Sequence, residues 1–165
     1  MKNIVLIGIM GCGKTTIAKL LAEKLKRPVI DTDEYIVKKY QQTIPEMFEV
    51  SETYFRNKET EACRDISKLD GYIISTGGGV VLNSINIDYL KQNGIIIYID
   101  RPINNIIVDV ETSTRPLLKE GPQKLLDLKK QRHQLYLDAS DIHLINDDTL
   151  ENVVNNLIGS LKSIY

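Results

Sequence analysis

Short apolar runs alternate along the chain with longer stretches of helical periodicity. Residues 3–7, 28–31, 72–75, 95–99 and 142–145 are rich in Ile and Val without polar alternation, the pattern of strands covered on both faces. Between them, residues 15–25, 51–68, 84–93 and 122–137 read as helices, since their apolar positions recur with helical spacing. Ser51 stands where a helix N-cap belongs, and Asn93-Gly94 reads as a helix stop. Strands separated by helices pair in parallel through crossover connections. The pattern therefore predicts an α/β protein, a three-layer α/β/α sandwich around a five-stranded parallel sheet.

Two stretches fit this alternation poorly. Residues 33–50 read as short helices carried on top of the sheet. Residues 109–121 are polar, with Thr112, Ser113, Thr114, Pro116 and Gly121 and little to bury. Inserts of this kind in a compact domain are usually lids or binding loops. A length of 165 residues fits one domain, 1–165, without a second core.

Composition narrows the class of partner. The net charge is −1, so no broad basic field points to nucleic acid, and any bound anion must be caught by a local site. No apolar run approaches the roughly 20 residues of a membrane-spanning helix. The apolar stretch Ile4-Val5-Leu6-Ile7 is followed at once by glycines and Lys14, with no cleavage pattern, and reads as a buried first strand rather than an export signal. Cys12 and Cys63 are the only cysteines, too few for a disulfide framework. These features predict a cytoplasmic protein without membrane contact. No exposed apolar face stands out, so a monomer is expected.

Gly8-Ile9-Met10-Gly11-Cys12-Gly13-Lys14-Thr15 matches G-x-x-x-x-G-K-[ST] in full, between an apolar strand and an amphipathic helix. Glycines at this spacing let successive N–H groups turn inward onto phosphate oxygens, and the helix N-terminus adds its positive dipole end. Gly11, Cys12, Gly13, Lys14, Thr15 and Thr16 are the expected nucleotide-binding residues. Lys14 would reach the β- and γ-phosphates of ATP, and the Thr15 hydroxyl would ligate Mg²⁺. Asp31-Thr32-Asp33 closes the second strand, where ligands of open α/β sheets gather. One acid could hold the water shell of the metal and the other orient or deprotonate an acceptor hydroxyl. Read alone, Asp33 could also merely cap a helix starting at Glu34.

Further motifs follow in order. They are Phe55-Arg56-Asn57-Lys58-Glu59, Gly77-Gly78-Gly79 after an apolar strand, Arg115-Pro116-Leu117-Leu118 in the polar insert, and Arg132-His133-Gln134-Leu135-Tyr136 on the last long helix. Together with the glycine loop and Asp31-Thr32-Asp33, this series resembles the shikimate kinase family from Ile4 to about Asn146. The resemblance implies a P-loop NTPase fold with an acceptor-binding region near 33–60 and a lid near 109–121. It implies transfer of the γ-phosphate of ATP to the 3-hydroxyl of shikimate, in aromatic amino acid biosynthesis. It also implies roles for single residues. Asp31 holds Mg²⁺ through water, and Asp33 binds the acceptor hydroxyls and takes part in catalysis with Lys14 and Arg115. Arg56 and Arg132 grip the shikimate carboxylate beside Gly77, Gly78 and Gly79, and Arg115 reaches the phosphates from the lid. The chemistry is apt, because a planar guanidinium binds a carboxylate through two parallel hydrogen bonds and consecutive glycines let a backbone approach a ligand.

The chain departs from the family in residues 106–111, Ile-Ile-Val-Asp-Val-Glu, which lack the arginine that family members often carry near the adenine. This predicts modest ATP affinity with a marked dependence on ionic strength. Cys12 stands beside a helix N-terminus and Lys14, a setting that favours a reactive thiolate, although a small side chain in a crowded turn needs no such role. His133 and His143 suggest no mechanism, and no Cys and His cluster has metal-site spacing. Two other readings stay open: a P-loop kinase for gluconate or a nucleoside monophosphate, and a nucleotide-binding scaffold without catalysis.

Overall fold

The computed structural model describes residues 1–106 and 122–164. The expected lid, 109–121 with Arg115, and the segment 107–111 lie outside the described residues. Five parallel strands form one sheet: β1 (Asn3–Ile7), β2 (Val29–Asp31), β3 (Ile73–Ser75), β4 (Gly94–Asp100) and β5 (Ile142–Ile145), in the order β2-β3-β1-β4-β5. Central β1 pairs on one side with β3 (Ile4 with Ile73) and on the other with β4 (Ile4 with Ile95). The chain thus runs to opposite sides of β1 in its two halves, leaving a crevice above the C-terminal end of β1, where ligands of such sheets bind.

Among the described residues these helices connect and cover the strands: α1 (Lys14–Leu25), α2 (Thr32–Tyr40), α3 (Ile44–Val50), α4 (Glu52–Ile66), α5 (Ser84–Gln92), α6 (Pro122–Ala139) and α7 (Leu150–Lys162). A 3₁₀ turn, Val80–Leu82, follows β3. Helix α1 packs with α7, and α4 with α5, giving the sheet its two covering layers. None of the described helices is long and apolar enough to cross a membrane.

The central strands are buried throughout, as their unbroken apolar runs require. The edge strands are not: Val29 on β2 is 41% exposed and Ile145 on β5 45%. Reading those runs as covered on both faces overestimates their burial, because a strand's own sequence does not tell whether it lies at an edge. Residues 33–50 do form short helices. Ile36, Met47, Phe55 and Ala62 from α2, α3 and α4 make a small apolar cluster distinct from the main core. Thr43 and Glu46 close a capping box on α3, and Ser51 caps α4 by accepting from Tyr54 N–H. Gly94 marks the end of α5 for a different reason from the one expected. Its φ is not positive, and a Cβ there would meet the Leu90 carbonyl oxygen at 2.4 Å. Close packing of the strand on the helix end excludes any side chain.

Candidate active site

The glycine loop leaves β1 at Ile7 and enters α1 at Lys14. Gly13 is the N-cap, with φ of 100°, and no side chain caps the helix; an L-residue would be strained there. The first N–H groups of α1 thus face a cavity of about 350 Å³ lined by Gly11, Gly13, Lys14, Thr15 and Thr16 on one side and by Asp31, Asp33, Gly77 and Gly78 on the other. Thr15 and Thr16 are exposed on its wall. Lys14 is folded back onto its own loop, its Nζ donating to the carbonyls of Gly8 (2.5 Å) and Ile9 (3.0 Å). Reaching a phosphate would exchange those carbonyls for phosphate oxygens. Cys12 is fully buried with Lys14 Nζ 3.6 Å from its Sγ. The sulfur is closed to reagents in this arrangement, so the reactivity expected from its neighbours has no route to solvent.

At the end of β2 the two acids divide their roles. Asp31, not Asp33, is the helix cap, accepting from the N–H groups of Asp33 (2.9 Å) and Glu34 (3.1 Å). Asp33 sits in the first turn of α2 with its side chain at the glycine turn. A Cβ on Gly77 would lie 2.9 Å from Asp33 Oδ1 and 3.4 Å from Glu59 Oε2. Burial raises the Asp33 carboxyl above its usual range, and the charge of Asp31 adds to this while Lys14 and Arg56 oppose it.

The three glycines bring the remaining candidates together. A Cβ on Gly79 would fall 2.3 Å from Arg56 Nη1, and one on Gly78 would lie 3.7 Å from Arg132 Nη1. Asp33, Arg56 and Arg132, drawn from three different helices, therefore meet at three consecutive residues. The guanidinium of Arg56 lies over the rings of Phe55 (5.2 Å) and Phe48 (5.9 Å), and its Nη1 donates to Glu59 Oε1 at 3.0 Å. Gly77 N–H donates to Thr32 Oγ1 (3.1 Å), which fixes the turn, and Gly77 and Gly78 line the cavity.

Two functional candidates escaped the sequence reading. Glu59 is buried at 1% exposure between Arg56, Asp33 and Arg132, and burial raises its carboxyl against the pull of Arg56. Its position carried a signal: Phe55, Glu59, Ala62, Cys63 and Ile66 share the buried face of α4, and a carboxylate at an apolar helix position needs a partner. Tyr136, fully buried on α6, donates to Gly78 O at 2.5 Å, its phenol pushed up to about 12 chiefly by burial. The histidines lie behind this layer. His133 Nδ1 pairs with Tyr98 Oη, and His143 Nε2 with Asp100 Oδ2, both at 2.8 Å. Burial, then Glu59 and Asp33, raise the Cys63 thiol far above its usual range, in keeping with an inert core cysteine.

No group of three or more His, Cys, Asp or Glu side chains suited to a metal occurs among the described residues. The Thr15 hydroxyl and the Asp31 carboxylate nevertheless share the cavity. Those few oxygen donors suit Mg²⁺, which keeps several waters and takes its other ligands from phosphates.

A phosphate cradle at the switch point of a parallel sheet, facing acids and guanidinium groups gathered at a glycine turn, defines a P-loop kinase with a small-molecule acceptor. The chain matches the family model for shikimate kinase over residues 10–162. It is 46% identical over 158 residues to a shikimate kinase from Clostridium botulinum (strain Alaska E43 / Type E3), covering 95% of this chain and 96% of that protein. It is 50% identical over 154 residues to the shikimate kinase of Caldicellulosiruptor bescii, covering 91% and 88%. A solved shikimate kinase from Acinetobacter baumannii in complex with shikimate superposes with a TM-score of 0.90 at 33% identity, covering 99% of this chain and 94% of the other. The chain belongs to the shikimate kinase family and is an ATP-dependent kinase.

Proposed function

We propose that this enzyme binds shikimate in the pocket around Gly77–Gly79 and transfers to its 3-hydroxyl the γ-phosphate of MgATP held by residues 11–16. One observation carries this reading. Of the four buried side-chain polar atoms that lack a hydrogen-bond partner among the described residues, Asp33 Oδ1 and Glu59 Oε2 face that turn, and a third beside it, Arg56 Nε, has only a 3.5 Å ion pair with Glu52 Oε1. Buried unsatisfied groups are rare and costly. One donor from a guanidinium and two acceptors from carboxylates are complementary to a ligand with a carboxylate and several hydroxyls, and shikimate is such a ligand.

In this reading Arg56 and Arg132 bind the carboxylate, and Gly78 and Gly79 approach the ring without side chains. Asp33 orients the reacting hydroxyl and accepts its proton. A raised carboxyl is the better base near neutral pH, because its proton affinity lies closer to that of the medium. Lys14 neutralises the β- and γ-phosphate oxygens, and the α1 N-terminus adds its amides. Mg²⁺ held by Thr15, and through water by Asp31, would supply charge neutralisation at the phosphates. Arg115 adds a further cation. The protein acts as a monomer.

An ADP-release assay with shikimate, gluconate and nucleoside monophosphates as alternative acceptors tests the proposal. ADP formation that depends on shikimate and on Mg²⁺ is expected. Equal turnover with gluconate, or release independent of any acceptor, would overturn it.

A further inference from the structure

We infer that Arg101 and Asn146, which lie just beyond the ends of β4 and β5, are positioning residues that hold the glycine loop in its phosphate-binding shape from outside. The inference deepens the nucleotide side of the proposed function and rests on it.

A loop that turns its N–H groups inward onto an anion must turn carbonyls outward, and an outward carbonyl that leaves water needs a donor. Four such carbonyls are held by side chains here. Lys14 Nζ serves those of Gly8 and Ile9. Arg101 Nη1 donates to Gly11 O at 3.1 Å, and Asn146 Nδ2 to Cys12 O at 2.8 Å. The two pairs differ in kind. Lys14 gives up its carbonyls when it turns to a phosphate, whereas Arg101 and Asn146 bond the outer side of the loop and can keep their bonds throughout. They fix Gly11 and Cys12, the centre of the turn, while the lysine moves.

The two donors form one unit. Asn146 N–H donates to Asp100 O at 2.7 Å, so the ends of β4 and β5 are tied at this point. Lys129 of α6 donates to Arg101 O at 3.2 Å and pairs with Asp100 Oδ1 at 2.7 Å. The approach is close: a Cβ on Gly13 would lie 2.8 Å from Asn146 Nδ2. The third glycine of the motif thus makes room for the asparagine as well as for the turn.

Arg101 also borders the phosphate cavity and the pocket next to it, so direct contact with the nucleotide is its competing account; Asn146 borders only the neighbouring pocket, and its variant tests positioning apart from any contact with phosphate in that cavity. Inorganic tripolyphosphate separates positioning from nucleoside contact, because it needs the loop but has no nucleoside. In the full-length enzyme, Arg101→Met and Asn146→Asp are each expected to weaken MgATP and Mg-tripolyphosphate binding, measured by calorimetry, by the same factor. That factor is about tenfold, or about 1.4 kcal/mol, the worth of one hydrogen bond. The KM for ATP rises in parallel, the KM for shikimate stays within about twofold, and Arg101→Lys recovers most of the loss. Asn146→Ser, a smaller change, supplies the same comparison if either variant fails to fold. Weakened ATP with unchanged tripolyphosphate would overturn the positioning role, as would equal losses for ATP and shikimate. Failure of the unaltered enzyme to bind MgATP would instead overturn the nucleotide reading beneath it.

Discussion

Asp33→Asn should make the ligand-free enzyme more stable and nearly inactive. Asp33 Oδ1 is buried without a partner, and Asp31 and Glu59 are acids close to it. An uncompensated buried polar group costs about 1–3 kcal/mol. An amide of the same shape removes the charge and puts a donor where carboxylates now face each other. In a chain of this size each kcal/mol moves Tm by about 2–4 °C, so a rise of a few degrees is expected at neutral pH. The pH dependence follows from the raised carboxyl. Below its ordinary value of 3.8, folded and unfolded chains both carry the proton and the variant has no advantage. As pH rises above 3.8 the unfolded chain releases its proton first, so the wild type loses stability until the folded group has also ionised. The gain from Asn should therefore grow across that window and level off above it. Scanning fluorimetry at acidic and neutral pH measures the gain, and an ADP-release assay should show turnover reduced by about 10²–10⁴-fold. A Tm difference independent of pH, or a destabilised variant, would refute the account of burial; turnover within tenfold would refute both a base and an orienting role.

Gly79→Ala puts a methyl group where Arg56 Nη1 now lies, 2.3 Å from it. The end of a flexible side chain can yield, so the fold should survive while the shikimate KM rises about tenfold, the worth of a charge-assisted hydrogen bond, and the ATP KM does not change. Glu59→Gln loosens the same guanidinium from its buried partner; steady-state kinetics should show a similar loss confined to the acceptor, and an equal loss for ATP would count against it. A thiol reagent added to the native enzyme should find neither cysteine, since both are buried, and both should react together on unfolding. Rapid labelling of Cys12 in the folded protein would show that the glycine loop opens.

The parts of the site legible in the sequence are those whose geometry is local. Gly8 to Thr15 and Gly77 to Gly79 are runs in which backbone shape or close approach excludes side chains, and such constraints leave glycines at fixed spacing. The two acids at the junction of β2 and α2 were legible as a pair, but their division of labour was not. Whether Asp31 or Asp33 caps α2 depends on where the helix begins, and it begins at Thr32 rather than Glu34. Burial of β2 and β5 was misjudged because edge position is a property of strand order. Arg101 and Asn146 were invisible for the same reason. They are 45 residues apart in the chain and meet the loop only because β4 and β5 are laid side by side next to β1.

That strand order divides the chemistry. β2 and β3 lie on one side of β1 and deliver Asp31, Asp33 and the glycine turn; β4 and β5 lie on the other and deliver Arg101 and Asn146 to the loop. The loop of β1 borders both halves, and Lys14 follows it at the start of α1. Substitutions on the β2–β3 side that spare Asp31 and Asp33 should therefore act on the acceptor, and those at the ends of β4 and β5 on the nucleotide; Arg132, although α6 connects β4 to β5, reaches the glycine turn and belongs with the acceptor. Lys14→Ala should lower kcat itself, because the charge it removes is needed where the two substrates meet. A variant on one side that shifted only the KM of the opposite substrate would show that the halves are mechanically coupled, and the simple partition by strand order would fail.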